Sequence, residues 1–216
     1  SGAGREATMG VSGGPANRKA MLTNPAQLRK YVQRCMRKLL EKSLMTDDPK
    51  AQEQREIDFA WAMAEWRTFD PTSPMKAFPP GDGSNSKDPS ALELLIILLK
   101  RSSSSDVHYA CCASIAYLAV RPDVRSALVE TPSGPLMESL DLFVRRLEAT
   151  DSPGVRYALC AIASELCKGD AGLIRLRDIN FAQALERLRQ KKSLPKDPAL
   201  EMIIDHLVHE LRPRIA

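Results

Sequence analysis

"DVHYACCASIAYLAVRPDVRSALVE" occupies residues 106–130, and a close copy, "GVRYALCAIASELCKGDAGLIRLRD", occupies residues 154–178. A shift of 48 residues pairs Val107 with Val155, Tyr109 with Tyr157, Ala110 with Ala158, Cys112 with Cys160, Ala113 with Ala161 and Leu118 with Leu166. The match runs upstream as well, through Leu92 and Leu140, Leu94 and Leu142, Leu99 and Leu147, and Ser104 and Ser152. Each copy has an apolar face at helical spacing, with Val107, Ala110, Ile115 and Leu118 in the first. Small residues there (Ala110, Ala113, Ala158, Ala161) let neighbouring helices approach, while Leu and Val fill the grooves between them. A period of this length, made of long and short helices, marks stacked helical units, because one unit cannot bury its own apolar face.

Working outward, the breaks define the elements. "PSALELLIILLKR" (89–101) reads as a very apolar helix, and "SSSS" ends it. A helix follows from Asp106 to about Val120, then "RPD" turns the chain into a short helix over 123–130. "LMESLDLFVRRLEA" (136–149) is a longer helix, closed by "TDSPG". The scheme returns with helices at 155–169, near 170–178 and at 181–192, and "PALEMIIDHLVHELRPRI" (198–215) closes it with Leu200, Ile203, Ile204, Leu207 and Leu211 inward. Nearer the start, "NPAQLRKYVQRCMRKLLEKSL" (24–44) has Asn24 as N-cap, Pro25 at the first helical position and apolar residues from Leu28 to Leu40 on one face. The stretch 47–69 reads as a helix whose polar first half stays in solvent and whose second half buries Ile57, Phe59, Ala60, Trp61, Ala64 and Trp66. One of the two tryptophans belongs to the core and the other is a candidate exposed anchor.

The segment "GPLMESLDLFVRRL" (134–147), followed by "DSPGVRYALCAIASEL" (151–166), resembles the armadillo repeat: a long third helix, a break, then the Ala-rich first helix of the next unit. The likeness covers residues 89–192, and the C-terminal helix follows at an offset nearer 45. It implies an all-α fold, a short right-handed armadillo-like helical solenoid with an N-terminal helical cap. The expected organisation is a disordered tail over 1–22 and a single helical domain over 23–216. Within that domain, helices at 24–69 form the cap, 70–88 is a Pro/Gly/Ser loop and 89–216 holds the repeats. Peptide-holding members of the armadillo family carry an Asn on the third helix. The third-helix segments here contain none, and Asn180 lies just before the last of them. A ladder of Asn contacts to an extended peptide is therefore not expected.

Composition bounds the function. Residues 1–44 carry nine Lys/Arg against two acids, a balance of +7, while the other 172 carry 22 against 25, or −3. So neutral a body is a poor match for a nucleic-acid backbone. The basic side chains Arg29, Lys30, Arg34, Arg37 and Lys38 form one patch, suited to an anionic surface. Five cysteines without a Cys-x-x-Cys pair read as buried thiols in a reducing compartment, cytoplasmic or nucleocytoplasmic. The longest apolar run, "ALELLIILL" (91–99), is half a membrane span. There is no Gly-rich phosphate loop and no nucleophile elbow. His206 and His209 have no further ligands at metal spacing. No catalytic residue, metal or cofactor is expected.

The reading is a non-enzymatic module that binds another protein. Its candidate contact residues are polar positions of the third helices: Glu138, Asp141, Arg145, Arg146, Gln183, Glu186 and Arg187. The end faces of so short a stack also offer a second copy a place to pair. Two alternatives stand beside this. One is a co-chaperone, similar to armadillo-type nucleotide-exchange factors of the seventy-kilodalton heat-shock chaperones or to myosin chaperones. The other is a nucleic-acid or acidic-surface binder acting through helix 24–44, although nucleic acid and membrane are the less expected partners.

Overall fold

The computed structural model describes residues 48–69, 90–131, 134–191 and 197–212, with the side chains of 62–69 and of Ala91 left aside. The tail, the basic helix at 24–44 and the 70–88 loop expected from the sequence lie outside the described residues. Within them the protein is all-helical, with no strand. The helices are α1 (Pro49–Phe69), α2 (Ala91–Arg101), α3 (Ser105–Ala119), α4 (Pro122–Glu130), α5 (Ser139–Ala149), α6 (Pro153–Leu166), α7 (Asp170–Asp178), α8 (Phe181–Gln190) and α9 (Pro198–Leu211).

The helix starts are written locally. Pro49, Pro122, Pro153 and Pro198 each open a helix, where the missing N–H is no loss and φ is already helical. Ser90 closes a capping box: its Oγ accepts from Glu93 N at 3.2 Å, and its own N donates to Glu93 Oε2 at 2.6 Å. Ser104 Oγ accepts from Asp106 N and Val107 N, Ser152 Oγ from Val155 N, and Asp197 from Ala199 N and Leu200 N. Between α7 and α8, Asn180 takes the left-handed conformation with φ 55° and turns the chain sharply.

The helices pack in rows. α1 lies on α3, α3 on α6 and α6 on α9; α4 lies on α7; α5 lies on α8. α2 packs against α3, and side-chain bonds reach from it to α5. The first row buries Phe59 and Ala60 of α1, Val107, Ala110, Cys111, Cys112 and Ile115 of α3, Val155, Leu159, Cys160 and Ile162 of α6, and Leu200, Ile204 and Leu207 of α9. Together with Leu92 to Leu99 of α2 they form one continuous core. The buried hydroxyls find acceptors: Ser114 Oγ donates to Ala60 O at 2.5 Å and Ser139 Oγ to Leu128 O at 3.2 Å.

Residues 48 apart make equivalent contacts. Ser104 and Ser152 are both N-caps. His108 Nε2 bonds the carbonyl of Ser102, six residues back, at 2.7 Å. Arg156 Nη2 donates to the carbonyl of Thr150, also six back, at 2.7 Å. Both carbonyls belong to the residue capping the end of the preceding helix. Tyr109 and Tyr157 each reach the start of the next helix in the row. Tyr109 lies over Gly154, where a Cβ would sit 3.0 Å from its ring, and Tyr157 OH donates to Asp197 Oδ1 at 2.8 Å.

The first half of α1 departs from the expectation of a solvated polar stretch. Glu56 is only 6% exposed, accepting from Gln52 Nε2 at 2.9 Å and Arg101 Nη2 at 2.6 Å. Glu53 accepts from Ser104 Oγ. This half packs through paired polar groups where Phe59 and Ala60, further along, pack through apolar ones. Trp61 is half-buried and meets Tyr109 edge-on, 5.8 Å between ring centroids.

Candidate partner-binding surface

The seven candidate contact residues lie on α5, α8 and the turn leading into α5, and the structure brings these two helices together. It divides the seven by use. Glu138 precedes α5 and receives Lys100 Nζ from α2 at 2.8 Å. That ammonium holds the Glu138 carboxyl below its ordinary range. Arg146 turns inward. Its Nη2 donates to Leu99 O at 2.7 Å, Lys100 O at 3.2 Å and Ser102 O at 3.4 Å, and so caps the C-terminal end of α2. Arg187 Nε and Nη2 reach Glu148 Oε1 at 2.8 and 2.5 Å, tying α8 to α5, and Lys191 Nζ donates to Glu148 O. These three residues are committed to holding neighbouring helices in register. Asp141 and Arg145 on α5, one turn apart, and Gln183 and Glu186 on α8 remain exposed.

The ion-pair series continues to the last helix, where Arg189 meets Glu201 at 3.2 Å and Asp205 at 2.9 Å. Each pair is largely exposed to solvent, which screens it, so the series fixes geometry more than it stabilises the fold. Sequence reading missed Lys100, Glu148, Arg189 and Lys191 as members of this surface. The available signal was their position in the last turn of α2, α5 and α8 or just beyond α8, where cations meet helix carbonyls and acids of the next helix. The basic patch Arg29, Lys30, Arg34, Arg37 and Lys38 lies outside the described residues.

Two other charged groups close helix ends in the same way. Arg125 Nη1 donates to Val120 O at 2.8 Å and Ala119 O at 3.1 Å, and Arg177 Nη2 to Glu210 O at 2.9 Å. Among the described residues Arg156 is the most buried cation, 2% exposed, with Asp151 Oδ1 at 3.5 Å from its Nη2. Desolvation lowers its pKa, and the Asp151 carboxylate opposes the shift.

Cys111, Cys112 and Cys160 are buried, as the apolar pattern around them requires, and Cys167 is half-buried. Burial pushes the Cys112 and Cys160 thiols up to about 12 and Cys167 to about 11, and raises Cys111 as well. A thiol held protonated is a weak nucleophile. Among the described residues no group of three His, Cys, Asp or Glu stands together to hold a metal ion, and no helix is long and apolar enough to cross a membrane. His206 and His209 are exposed on α9.

Fold and surface together define an all-α protein whose helix rows are bound to one another by end-capping cations and ion pairs. No protein family, curated protein or solved structure matches the chain.

Proposed function

We propose that the chain is a short armadillo-like helical solenoid and acts as a non-enzymatic module that grips a partner protein through the outer face of α5 and α8. Supporting the solenoid reading are the rows α1–α3–α6–α9, α4–α7 and α5–α8, and the equivalent contacts of side chains 48 residues apart. Stacked units of this kind expose one continuous face built from the same helix of each unit.

One observation carries the binding reading. Asp141, Arg145, Gln183 and Glu186 are exposed on two adjacent helices, while Glu138, Arg146 and Arg187 beside them are tied to other parts of the protein. Charges presented by a pre-ordered scaffold set orientation and association rate, with little ordering cost on binding. The test is an affinity capture with the whole chain as bait, beside an Asp141→Lys/Arg145→Glu variant that leaves Arg146 and Arg187 in place. The variant is expected to melt as the wild type does and to lose the captured protein. Undiminished capture by the folded variant would refute the surface.

A further inference from the structure

We propose that Ser103, in the link between α2 and α3, is a phosphorylation site for a protein kinase that selects basic side chains two and three residues before its serine. The phosphate then takes the place that Asp151 holds 48 residues further on.

The link is built for an enzyme to reach. Residues 102–104 leave the helices, with extended backbone at Ser102 (φ −71°, ψ 145°) and Ser104 (φ −76°, ψ 128°). Ser102 Oγ is engaged by Ser104 N at 3.1 Å, and Ser104 Oγ caps α3 and donates to Glu53. Ser103 is exposed between them. Ser105 is exposed too, but lies within the first turn of α3. Lys100 and Arg101 stand three and two residues before Ser103, with side chains 61% and 46% exposed.

The surroundings call for an anion. Ser102 and Thr150 are matching C-caps, Ser104 and Ser152 matching N-caps, and His108 and Arg156 donate to matching carbonyls. Ser103 therefore corresponds to Asp151, whose carboxylate lies 3.5 Å from Arg156. In the earlier copy an imidazole and a guanidinium stand at the matching carbonyl without that acid. His108 at 2.7 Å and Arg146 at 3.4 Å share the carbonyl of Ser102, the residue next to Ser103. Arg146 Nε is buried with no hydrogen-bond partner. Glu53, on Ser104, Glu56, paired with Arg101 at 2.6 Å, and Asp106, in the first turn of α3, are acids that a phosphate must face. The guanidinium groups of Arg146 and Arg101 oppose them, and phosphate pairs strongly with guanidinium groups.

The transfer is ordinary phosphoryl chemistry. Ser103 Oγ attacks the terminal phosphorus of a nucleoside triphosphate held by the kinase. An O–P bond forms, the bond to the bridging oxygen breaks, the nucleoside diphosphate leaves, and the hydroxyl proton passes to the kinase's base.

The test treats the full chain with ATP and the catalytic domain of a kinase selective for basic residues at those two positions, and maps the product by mass spectrometry. One phosphate is expected on Ser103, absent in Ser103→Ala, retained in Ser105→Ala, and added about tenfold more slowly in Lys100→Gln. In the phosphorylated protein the His108 imidazole, followed by NMR, is expected to titrate about one pH unit higher than before. Phosphate on another serine overturns the proposal. So does an unmodified wild type when a peptide of residues 97–108 is modified, or a His108 titration that does not move.

Discussion

Replacing Gly172 by Ala tests the packing of the molecule where local rules and tertiary structure disagree. Gly172 is the third residue of α7, and helix propensity alone makes Gly→Ala a gain of about 0.8–1 kcal/mol. Its position reverses the sign. A Cβ there would lie 2.2 Å from Leu166 O, 2.9 Å from Leu166 C and 3.3 Å from Leu166 Cα. Ordinary contact begins near 3.4 Å, so α7 must move away by about 1 Å. All three atoms belong to the backbone of the last residue of α6, and no rotamer change relieves the overlap. Overpacking against fixed groups costs about 1–3 kcal/mol, and a backbone clash belongs at the upper end. The net expectation is a loss of about 2 kcal/mol, a fall in Tm of about 4–8 °C for a chain of this length. Gly169→Ala is the control: nothing lies within 4 Å of its Cβ, its φ of −124° suits any residue, and exchanging Gly for Ala at an N-cap costs about 0.5–1 kcal/mol, well short of the clash. Urea and thermal unfolding of the three proteins, followed by circular dichroism, give the comparison. A Gly172→Ala protein as stable as wild type, or a Gly169→Ala protein equally damaged, would refute the packing argument.

Arg156→Ala leaves the Thr150 carbonyl without its side-chain donor and Asp151 without its cation, and is expected to destabilise by about 1–3 kcal/mol; an unchanged urea midpoint would contradict the capping role. His108 is held below its ordinary pKa by burial first, with Arg146 adding to the shift and the bond to Ser102 opposing it. Its neutral form is favoured on folding, so this contribution is complete above about pH 6.5 and is lost as pH falls through the unfolded value toward the folded one. His108→Gln is therefore expected to flatten the decline in unfolding free energy between about pH 7 and pH 5, measured by urea titration; parallel declines in the two proteins would exclude His108 as the cause.

Much of the helix plan was legible because its signals are local. Apolar residues at helical spacing and the breaks at "SSSS", "RPD" and "TDSPG" all act within a turn or two of chain. The match of residues at a 48-residue shift pointed to equivalent neighbours, and the N-caps Ser104 and Ser152 have them. The same spacing exposed the buried cysteines, since a thiol inside an apolar stripe follows the stripe.

The candidate surface was legible only in part. Sequence identified polar positions on α5 and α8, and Asp141, Arg145, Gln183 and Glu186 are exposed there. It did not distinguish them from Arg146, which spends its guanidinium on carbonyls up to 47 residues away, or from Arg187, whose partner is 39 away. A long cationic side chain obeys no helical period in its choice of partner. The buried Glu56, the shared carbonyl of Ser102 and the crowding at Gly172 have the same origin. Among the described residues, sequence by itself determined which segments are helical and, α1 apart, which stripe of each turns inward, because both follow from near neighbours along the chain. Only the tertiary structure decided which charges are bound within the protein and which stay exposed, because that depends on how far apart two helices come to rest.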